Sequence, residues 1–573
     1  MKKINSINIH KFLSVQLLFF ILFFNNSFCN NTDDYFYNGV VTSADELASQ
    51  VGIDVLKKGG NAVDAAVAVG FALAVVYPQA GNIGGGGFMV MHLKNKDGKY
   101  FNTSIDYREK APLLAHRDMY LDADGNVISG LSTTGHLAGG VPGSVAGMLF
   151  ALEKFGTMNR SEVLSYAIDL AEKGFKISKR LANILNEFQS QFSQFPSTMK
   201  IFGGKWKEGD LLVQKDLANT LKLISEKGLE GFYNGNTADL IVNEMKQYKG
   251  LISYEDLKNY EAKERKCVTG TYRDFEVISM GPPSSGGISL IYLLNILENE
   301  DLKSFGYSSY ESIIRMTEAM RLVYADRSEY MADMDFYKVP VDVLTSKNYA
   351  QERYNKILFS DENFSAIKSD NVKPGIIKSE KENTTHYSIA DKEGNCVSVT
   401  TTINDNFGSK LVIEGAGFFL NNEMDDFVSK PGVPNMFGLL GNEANSIEPG
   451  KRMLSSMTPT IILKDGKPFL ITGSPGGGRI ITAVLMNIIN VIDFQMDLKD
   501  AIDKPRFHHQ WYPDEIQAEK NMLSEDVRAR LIKRGYKIND FRDYASIDAI
   551  IFNENGGMKG HSDRRGYGKS IGY

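Results

Sequence analysis

Two threonines that can do nucleophilic chemistry, Thr384 and Thr402, lie at matching ends of a predicted β-hairpin. Apolar residues alternate with small or polar ones along both halves of residues 384–402, which is the period of a strand. Between the halves, Lys392–Asn395 contains Gly and Asn, which accept the backbone angles of a tight turn. A turn centred there places Thr384 opposite residue 402 or 403, so the two threonines face each other at the open end.

A threonine hydroxyl is a weak nucleophile and needs a base within hydrogen-bond reach. A threonine at a chain terminus carries its own base, because a free α-amino group titrates near pH 8 and can take the hydroxyl proton directly or through one water. An amide nitrogen cannot serve in this way. Thr384 can therefore use its own nitrogen as the base only if the chain is broken before it.

A glycine-rich loop at residues 473–478 comes just before a predicted helix over 480–490. Consecutive glycines expose N–H groups beside a helix N-terminus, where the negative charge of a tetrahedral intermediate is stabilised. The alternative is a plain tight connection between a strand and a helix.

Five short segments follow one another in the second half of the chain. They are Thr384-Thr-His-Tyr-Ser, Asn421-Asn-Glu-Met-Asp-Asp-Phe, Pro431-Gly-Val-Pro-Asn, Ser455-Ser-Met-Thr-Pro-Thr and Gly473-Ser-Pro-Gly-Gly. Together they resemble the small-subunit half of the γ-glutamyltransferases, which are N-terminal-nucleophile hydrolases. The segments at 77–88 and 106–112 resemble the large-subunit half, so the resemblance runs from Val40 to Tyr573.

The resemblance implies that the chain cleaves itself between Asn383 and Thr384. The products are a large subunit, 30–383, and a small subunit, 384–573, which stay together as a heterodimer and form one intertwined unit. The implied fold is α+β, the four-layer αββα sandwich of this superfamily. The predicted hairpins and separate long helices favour α+β on their own.

The resemblance also implies roles for individual residues. Thr384 is the nucleophile, Thr402 holds its hydroxyl and amine, and Gly476 and Gly477 donate to the oxyanion. The implied substrate-binding residues are Arg108, Ser455 and Ser456 for an α-carboxylate, and Asn404, Glu423 and Asp426 for an α-ammonium. These residue types suit the two charges. Residues 423–426 are otherwise a solvated acidic turn or a calcium loop, although the ligand spacing of a calcium loop is absent.

The function that the resemblance implies is transfer of the γ-glutamyl group of glutathione and related donors, through an ester on Thr384, to water or to amino acid or dipeptide acceptors. The alternatives are a glutaryl or cephalosporin acylase, and a catalytically silent binding protein on the same fold. No cofactor or metal is expected, because no Cys-x-x-Cys or His-Glu-x-x-His motif occurs. A net charge of -6 argues against a nucleic-acid partner. One departure from the family is Phe437, in a lid over 431–442 where related bacterial enzymes often carry tyrosine.

The first 29 residues read as a signal peptide. Lysines precede an apolar run, Phe12–Phe24, which is too short to span a bilayer comfortably. We therefore expect an exported protein, periplasmic or secreted; the alternative is an uncleaved anchor.

The elements that must position the site follow from periodicity and capping. Ser43, with Glu46 as capping-box partner, predicts a helix whose buried face includes Leu47. Ala62–Val76 predicts a buried core helix. Other predicted elements are strands at 88–93, 100–107 and 549–552, a strand pair at 268–280, a hairpin at 459–472 with an Asp465–Gly466 turn, helices at 215–227, 288–297 and 310–334, and a polar linker at 360–383. His386, His508 and His509 are predicted to be structural rather than catalytic.

Overall fold

A computed structural model describes residues 35–355, 384–542 and 545–573. The predictions for the signal peptide at 1–29, for the linker at 360–383 and for Asn383 lie outside the described residues. No helix among the described residues combines the length and apolar character needed to cross a membrane.

The order of the strands along the chain differs from their order in the sheets. Within the described residues they are β1 Gly39–Ser43, β2 Gly86–Lys94, β3 Tyr100–Asp106, β4 Phe175–Lys176, β5 Leu211–Leu212, β6 Lys263–Arg265, β7 Val268–Tyr272, β8 Phe275–Ser279, β9 Thr384–Asp391, β10 Cys396–Thr402, β11 Thr460–Lys464, β12 Lys467–Thr472, β13 Phe507–His508, β14 Ile516–Glu519, β15 Ile538–Phe541, β16 Asp548–Phe552, β17 Met558–Ser562 and β18 Lys569–Gly572.

The helices fall mainly before β9 in the chain. They are α1 Glu46–Lys57, α2 Ala62–Val76, α3 Ser144–Phe155, α4 Arg160–Lys173, α5 Lys179–Glu187, α6 Gln189–Phe192, α7 Pro196–Phe202, α8 Lys215–Lys227, α9 Glu230–Tyr233, α10 Gly235–Tyr248, α11 Tyr254–Lys258, α12 Gly286–Leu297, α13 Leu302–Phe305, α14 Tyr310–Tyr330, α15 Val341–Leu344, α16 Lys347–Tyr354, α17 Arg479–Ile492, α18 Leu498–Asp503 and α19 Glu525–Lys533.

Two sheets stack face to face. The first has the strand order β18-β1-β9-β10-β2-β3-β6, and the second has the order β17-β16-β12-β11-β8-β7. Helices α1, α2 and α3 cover the outer face of the first sheet, and α12 and α17 cover that of the second. The predicted four-layer αββα architecture is confirmed.

Opposite faces of the β9–β10 hairpin have different chemistry. Tyr387 and Val399 belong to the apolar core under α2. The other face carries small polar groups that bond across to the second sheet: the Ser388 hydroxyl donates to the Asp548 carbonyl at 3.1 Å, and the Ser398 hydroxyl donates to the Thr472 carbonyl at 3.2 Å. Hydrogen bonds between hydroxyls and backbone therefore align the two sheets.

The start of α1 differs from the prediction. Ser43 remains in β1, where it pairs with Tyr387 of β9. Asp45 caps the helix instead, and its carboxylate accepts the N–H of Leu47 at 2.9 Å. Leu47 is consequently 39% exposed and does not belong to the buried face. The predicted buried helix Ala62–Val76, by contrast, has exactly those bounds and is buried along its whole length.

Three buried histidines predict a loss of stability in acid. His386 lies between the sheets, with its ring nitrogens 2.9 Å from the Thr400 hydroxyl and 3.0 Å from the Ser388 hydroxyl. Burial lowers its pKa to about 3, and burial also lowers the pKa values of His508 and His509. An unfolded imidazole near pKa 6.5 binds a proton that the folded protein excludes, so stability falls as the pH drops below 6.5.

We expect His386 alone to account for about 2 kcal/mol of the loss at pH 5. The measurement is the free energy of unfolding at pH 7 and pH 5, by denaturant titration, for the wild type and His386→Gln. The variant should lose less stability between these pH values than the wild type. The matched control is His116→Gln, since His116 is exposed, and it should lose as much as the wild type. Equal losses of stability in all three proteins would contradict the assignment of this loss to His386.

Candidate active site

The predicted site residues meet in one cleft of about 570 Å³ that is partly open to solvent. Those among its lining are Thr384, Thr402, Arg108, Asn404, Glu423, Asp426, Ser455, Ser456 and Gly477. Gly476 is the neighbour of Gly477 in the same loop, and Asn383 lies outside the described residues. Residues from both halves of the chain, which are hundreds of positions apart, therefore converge on Thr384.

The two threonines are cross-strand partners, as predicted. Thr384 opens β9 and pairs with Thr402, the last residue of β10. The Thr402 hydroxyl accepts the N–H of Asn404 at 2.7 Å, and Asn404 itself takes a left-handed backbone angle of φ 74°. The Asn404 side chain donates to the Asn422 carbonyl at 2.9 Å. The Thr384 hydroxyl has no hydrogen-bond partner among the described residues, and Thr384 lines the cleft.

The glycine loop presents two backbone N–H groups just before a helix. Gly476 and Gly477 have φ angles of 127° and 49°, which side chains other than glycine rarely adopt. In the part of the chain that the structure describes, neither N–H has a hydrogen-bond acceptor, and helix α17 begins just after them. The Tyr324 hydroxyl, on α14, donates to the carbonyl of Gly478 and fixes the loop.

Arg108 lies at the centre of a buried cluster of charges. Its guanidinium, 1% exposed, donates to the carboxylates of Glu423 and Asp426, and its Nη1 lies 3.6 Å from Glu109. Residues 423–426 form a 3₁₀ turn that directs these carboxylates inward. The alternative of a solvated acidic turn is therefore wrong.

One cation faces three carboxyl groups in this cluster. Burial raises the pKa of Glu109 to about 7, raises that of Glu423 well above its ordinary value and raises that of Asp426, while Arg108 opposes all three shifts. Both oxygens of Glu109 and one oxygen of Glu423 have no hydrogen-bond partner among the described residues. Burial therefore favours the protonated forms of these carboxyl groups, and Arg108 favours their charged forms.

The serine pair Ser455–Ser456 is held by Ser285, just before α12, and by Arg327 of α14. The N–H and hydroxyl of Ser285 donate to the Ser455 carbonyl at 2.8 and 2.7 Å. Arg327 of α14 donates to the hydroxyls of Ser285 and Ser456, both at 2.9 Å. Sequence reasoning missed Ser285 and Arg327. The sequence does contain one indication for Arg327. It follows Tyr324 by three residues, so both side chains lie on the same face of the helix.

The lid over 431–442 is attached to the acidic turn. The side-chain amide of Asn435 donates to Asp426 at 3.1 Å, and the N–H of Met436 donates to Asp425 at 3.0 Å. Phe437, half-buried, lines the cleft, and its carbonyl accepts from Gln510 at 3.1 Å. The lid therefore covers the cleft from the side of the carboxylates.

A sequence model of the family described as Gamma-glutamyltranspeptidase matches residues 48–573. The chain belongs to the γ-glutamyltranspeptidase family. Among curated relatives, the glutathione hydrolase proenzyme of Escherichia coli strain K12 is 48% identical over 532 residues, which is 92% of this chain and 90% of that protein.

Solved structures agree with the family and the fold. The γ-glutamyltranspeptidase of Helicobacter pylori is 50% identical with a TM-score of 0.54, and the match covers 58% of this chain and 94% of that chain. The cephalosporin acylase from Bacillus halodurans is 25% identical with a TM-score of 0.81, covering 94% of this chain and 96% of that chain. The predicted membership of the γ-glutamyltranspeptidase family is confirmed.

The charge cluster predicts how this γ-glutamyltranspeptidase family member responds to loss of Arg108. Arg108→Met leaves two buried carboxylates without their cation and should destabilise the protein by roughly 3–5 kcal/mol. Arg108→Lys keeps the charge but loses the planar guanidinium that binds two carboxylates, and it should destabilise the protein less than Arg108→Met. The measurement is the free energy of unfolding by denaturant titration.

The matched control is Arg117→Met. Arg117 pairs with Glu443 at 2.8 Å, but the Glu443 side chain is exposed, and such pairs contribute at most about 1 kcal/mol. If Arg108→Met and Arg117→Met lose similar stability, the buried cluster does not depend on Arg108.

Proposed function

We propose that this protein is a self-processing γ-glutamyltransferase and glutathione hydrolase. The observation that carries the proposal is the convergence, in one cleft, of a Thr384–Thr402 pair, a glycine loop whose N–H groups have no acceptor among the described residues, and a buried array of charges of both signs. The similarity to the Escherichia coli glutathione hydrolase proenzyme supports both the activity and the processing.

Self-cleavage begins with Thr384. Its hydroxyl attacks the carbonyl of Asn383, the peptide C–N bond breaks, and the acyl group moves from nitrogen to oxygen. Water then hydrolyses the ester and leaves a carboxylate on Asn383 and a free amine on Thr384. That amine is the base that the hydroxyl lacked before cleavage.

The two subunits, 30–383 and 384–573, stay together after the cut. Strands β9 and β10 of the small subunit lie at the centre of the first sheet, paired with β1 on one side and β2 on the other. Both outer partners belong to the large subunit. The backbone hydrogen bonds between them hold the heterodimer together without the peptide bond.

Transfer uses the same hydroxyl. The Thr384 amine accepts the hydroxyl proton, the oxygen attacks the γ-carbonyl of the donor, and Gly476 and Gly477 donate their N–H groups to the oxyanion. The leaving amine takes the proton, and a γ-glutamyl ester remains on Thr384. Water releases glutamate from this ester, and an amino acid or dipeptide acceptor gives a new γ-glutamyl compound.

The charge array supports an α-amino acid donor over a glutaryl acid. Arg108, Ser455 and Ser456 provide donors for the α-carboxylate, and Asn404, Glu423 and Asp426 provide acceptors for the α-ammonium. A glutaryl group has no cation for the acidic residues. The acylase alternative is therefore the weaker one, although the solved cephalosporin acylase shares the fold.

The location that we propose is outside the cytoplasm, periplasmic or secreted. Support comes from the lysines and the short apolar run within the first 29 residues.

The decisive experiment compares the wild type with Thr384→Ala. The wild type should run as two fragments on a denaturing gel, the smaller one should begin with Thr384, and the protein should release glutamate from glutathione. Thr384→Ala has no nucleophile and should remain one chain without activity. Two fragments from Thr384→Ala, or no glutamate from the cleaved wild type, would contradict the proposal.

The lid gives a second prediction. Phe437 lacks the hydroxyl of a tyrosine, and Phe437→Tyr can add one hydrogen bond across the closed lid, worth roughly 1 kcal/mol. A firmer lid excludes water, so more of the ester should pass to amine acceptors. We expect a higher ratio of transfer product to free glutamate at fixed acceptor concentration, with unchanged self-cleavage. Phe437→Leu, which adds no hydroxyl, is the control; an unchanged or lower ratio in Phe437→Tyr would show that this position does not gate water.

A further inference from the structure

The two arginines that line the cleft differ in their partners. Arg108 is neutralised by Glu423 and Asp426. Arg327 is 4% exposed, and no carboxylate of the described residues lies within 4 Å of it. Its Nε and Nη2 donate to the hydroxyls of Ser285 and Ser456, and its Nη1 has no acceptor in residues 35–355, 384–542 and 545–573.

A buried guanidinium without a counter-ion is costly. Burial lowers the pKa of Arg327 below its ordinary value, yet arginine keeps its proton in proteins, so the charge remains. Asp426 interacts with it electrostatically from beyond ion-pair distance. A charge held in this way at the wall of a cleft is stabilised when an anionic ligand binds.

The hydrogen bonds of Arg327 also orient a hydroxyl. The Ser456 oxygen accepts from Nη2 of Arg327 at 2.9 Å, and the Ser456 hydroxyl donates to no other residue that the structure describes. Its proton is therefore free to point into the cleft. Ser285 is oriented differently, since its hydroxyl donates to the Ser455 carbonyl at 2.7 Å.

We propose that Arg327 is a positioning and specificity-determining residue for the α-carboxylate of the donor. It turns the hydroxyl proton of Ser456 toward that carboxylate, and it adds to the contribution of Arg108 a positive charge that no ion pair within the described residues neutralises. This inference rests on the proposed function. It names the part of the site that distinguishes a γ-linked α-amino acid from a substrate without an α-carboxylate.

Three substitutions separate the contributions of charge and hydrogen bonding. Arg327→Lys keeps the charge, Arg327→Gln keeps a donor, and Arg327→Met removes both. The assay is hydrolysis of L-γ-glutamyl-p-nitroanilide. We expect KM to rise about tenfold or more in Arg327→Met, with smaller rises in the other two, since a hydrogen bond to a charged group is lost. The kcat and the half-time of self-cleavage should stay within about threefold of the wild type, since binding rather than chemistry is affected.

A double-mutant cycle tests whether the effect passes through Ser456. In a double-mutant cycle, Arg327→Gln and Ser456→Ala together should raise KM little more than either alone, because they remove one interaction. Arg321→Gln is the matched control: Arg321 is an equally buried guanidinium on α14, but it pairs with Asp514 and Glu318. It should leave KM unchanged.

Several results would overturn the inference. They are an unchanged KM in Arg327→Met and Arg327→Gln, additive effects in the cycle, an equal rise in KM for Arg321→Gln, or failure of self-cleavage in all three Arg327 variants, which would indicate a purely structural role. Failure of the proposed function is visible separately, because the cleaved wild type would then release neither p-nitroaniline nor glutamate.

Discussion

The register of the β9–β10 hairpin is the constraint on which the site depends. It pairs Thr384 with Thr402 and continues without a shift to Cys396 and Ala390. A slip of one residue between the strands would exchange the two faces of one of them, because side chains alternate. Either Tyr387 or Val399 would then leave the core under α2, and a hydroxyl that aligns the second sheet would enter it. Packing on one face and hydrogen bonding on the other therefore fix the position of the nucleophile.

The second sheet packs closely against this hairpin. Gly473, which begins the glycine loop after β12, lies against the ring of His386, where an added Cβ would come within 2.2 Å of the ring. The neutral imidazole bonds two hydroxyls of the hairpin and leaves room for the backbone of the loop. The contact between Gly473 and His386 therefore fixes how the glycine loop lies against the hairpin that carries Thr384.

The parts of the molecule that local sequence controls were predictable. The hairpin, the bounds of the buried helix Ala62–Val76 and the two-residue turn at Asp465–Gly466 follow from periodicity and turn chemistry, and both turn residues have positive φ. The N-cap of α1 was not predicted correctly. Ser43 pairs with β9 and stays in β1, so Asp45 caps the helix instead. Arg327 and Ser285 were missed for a different reason. They act through contacts with Ser455 and Ser456, which lie more than a hundred residues away in the chain, and local sequence does not predict such contacts. The roles of the individual site residues remain predictions.

Cleavage before the first residue of a central strand has a structural advantage for the chemistry that we propose. Both neighbours of the β9–β10 hairpin are already hydrogen-bonded to it, so the strand does not need to move when the peptide bond breaks. The new amine is the former backbone nitrogen at the start of β9, and it lies beside the hydroxyl that it must deprotonate. A base introduced from another segment would have to be ordered against that hydroxyl at an entropic cost. Here the same fold that positions the nucleophile also positions its base, and the chain break changes only the protonation chemistry of the nitrogen.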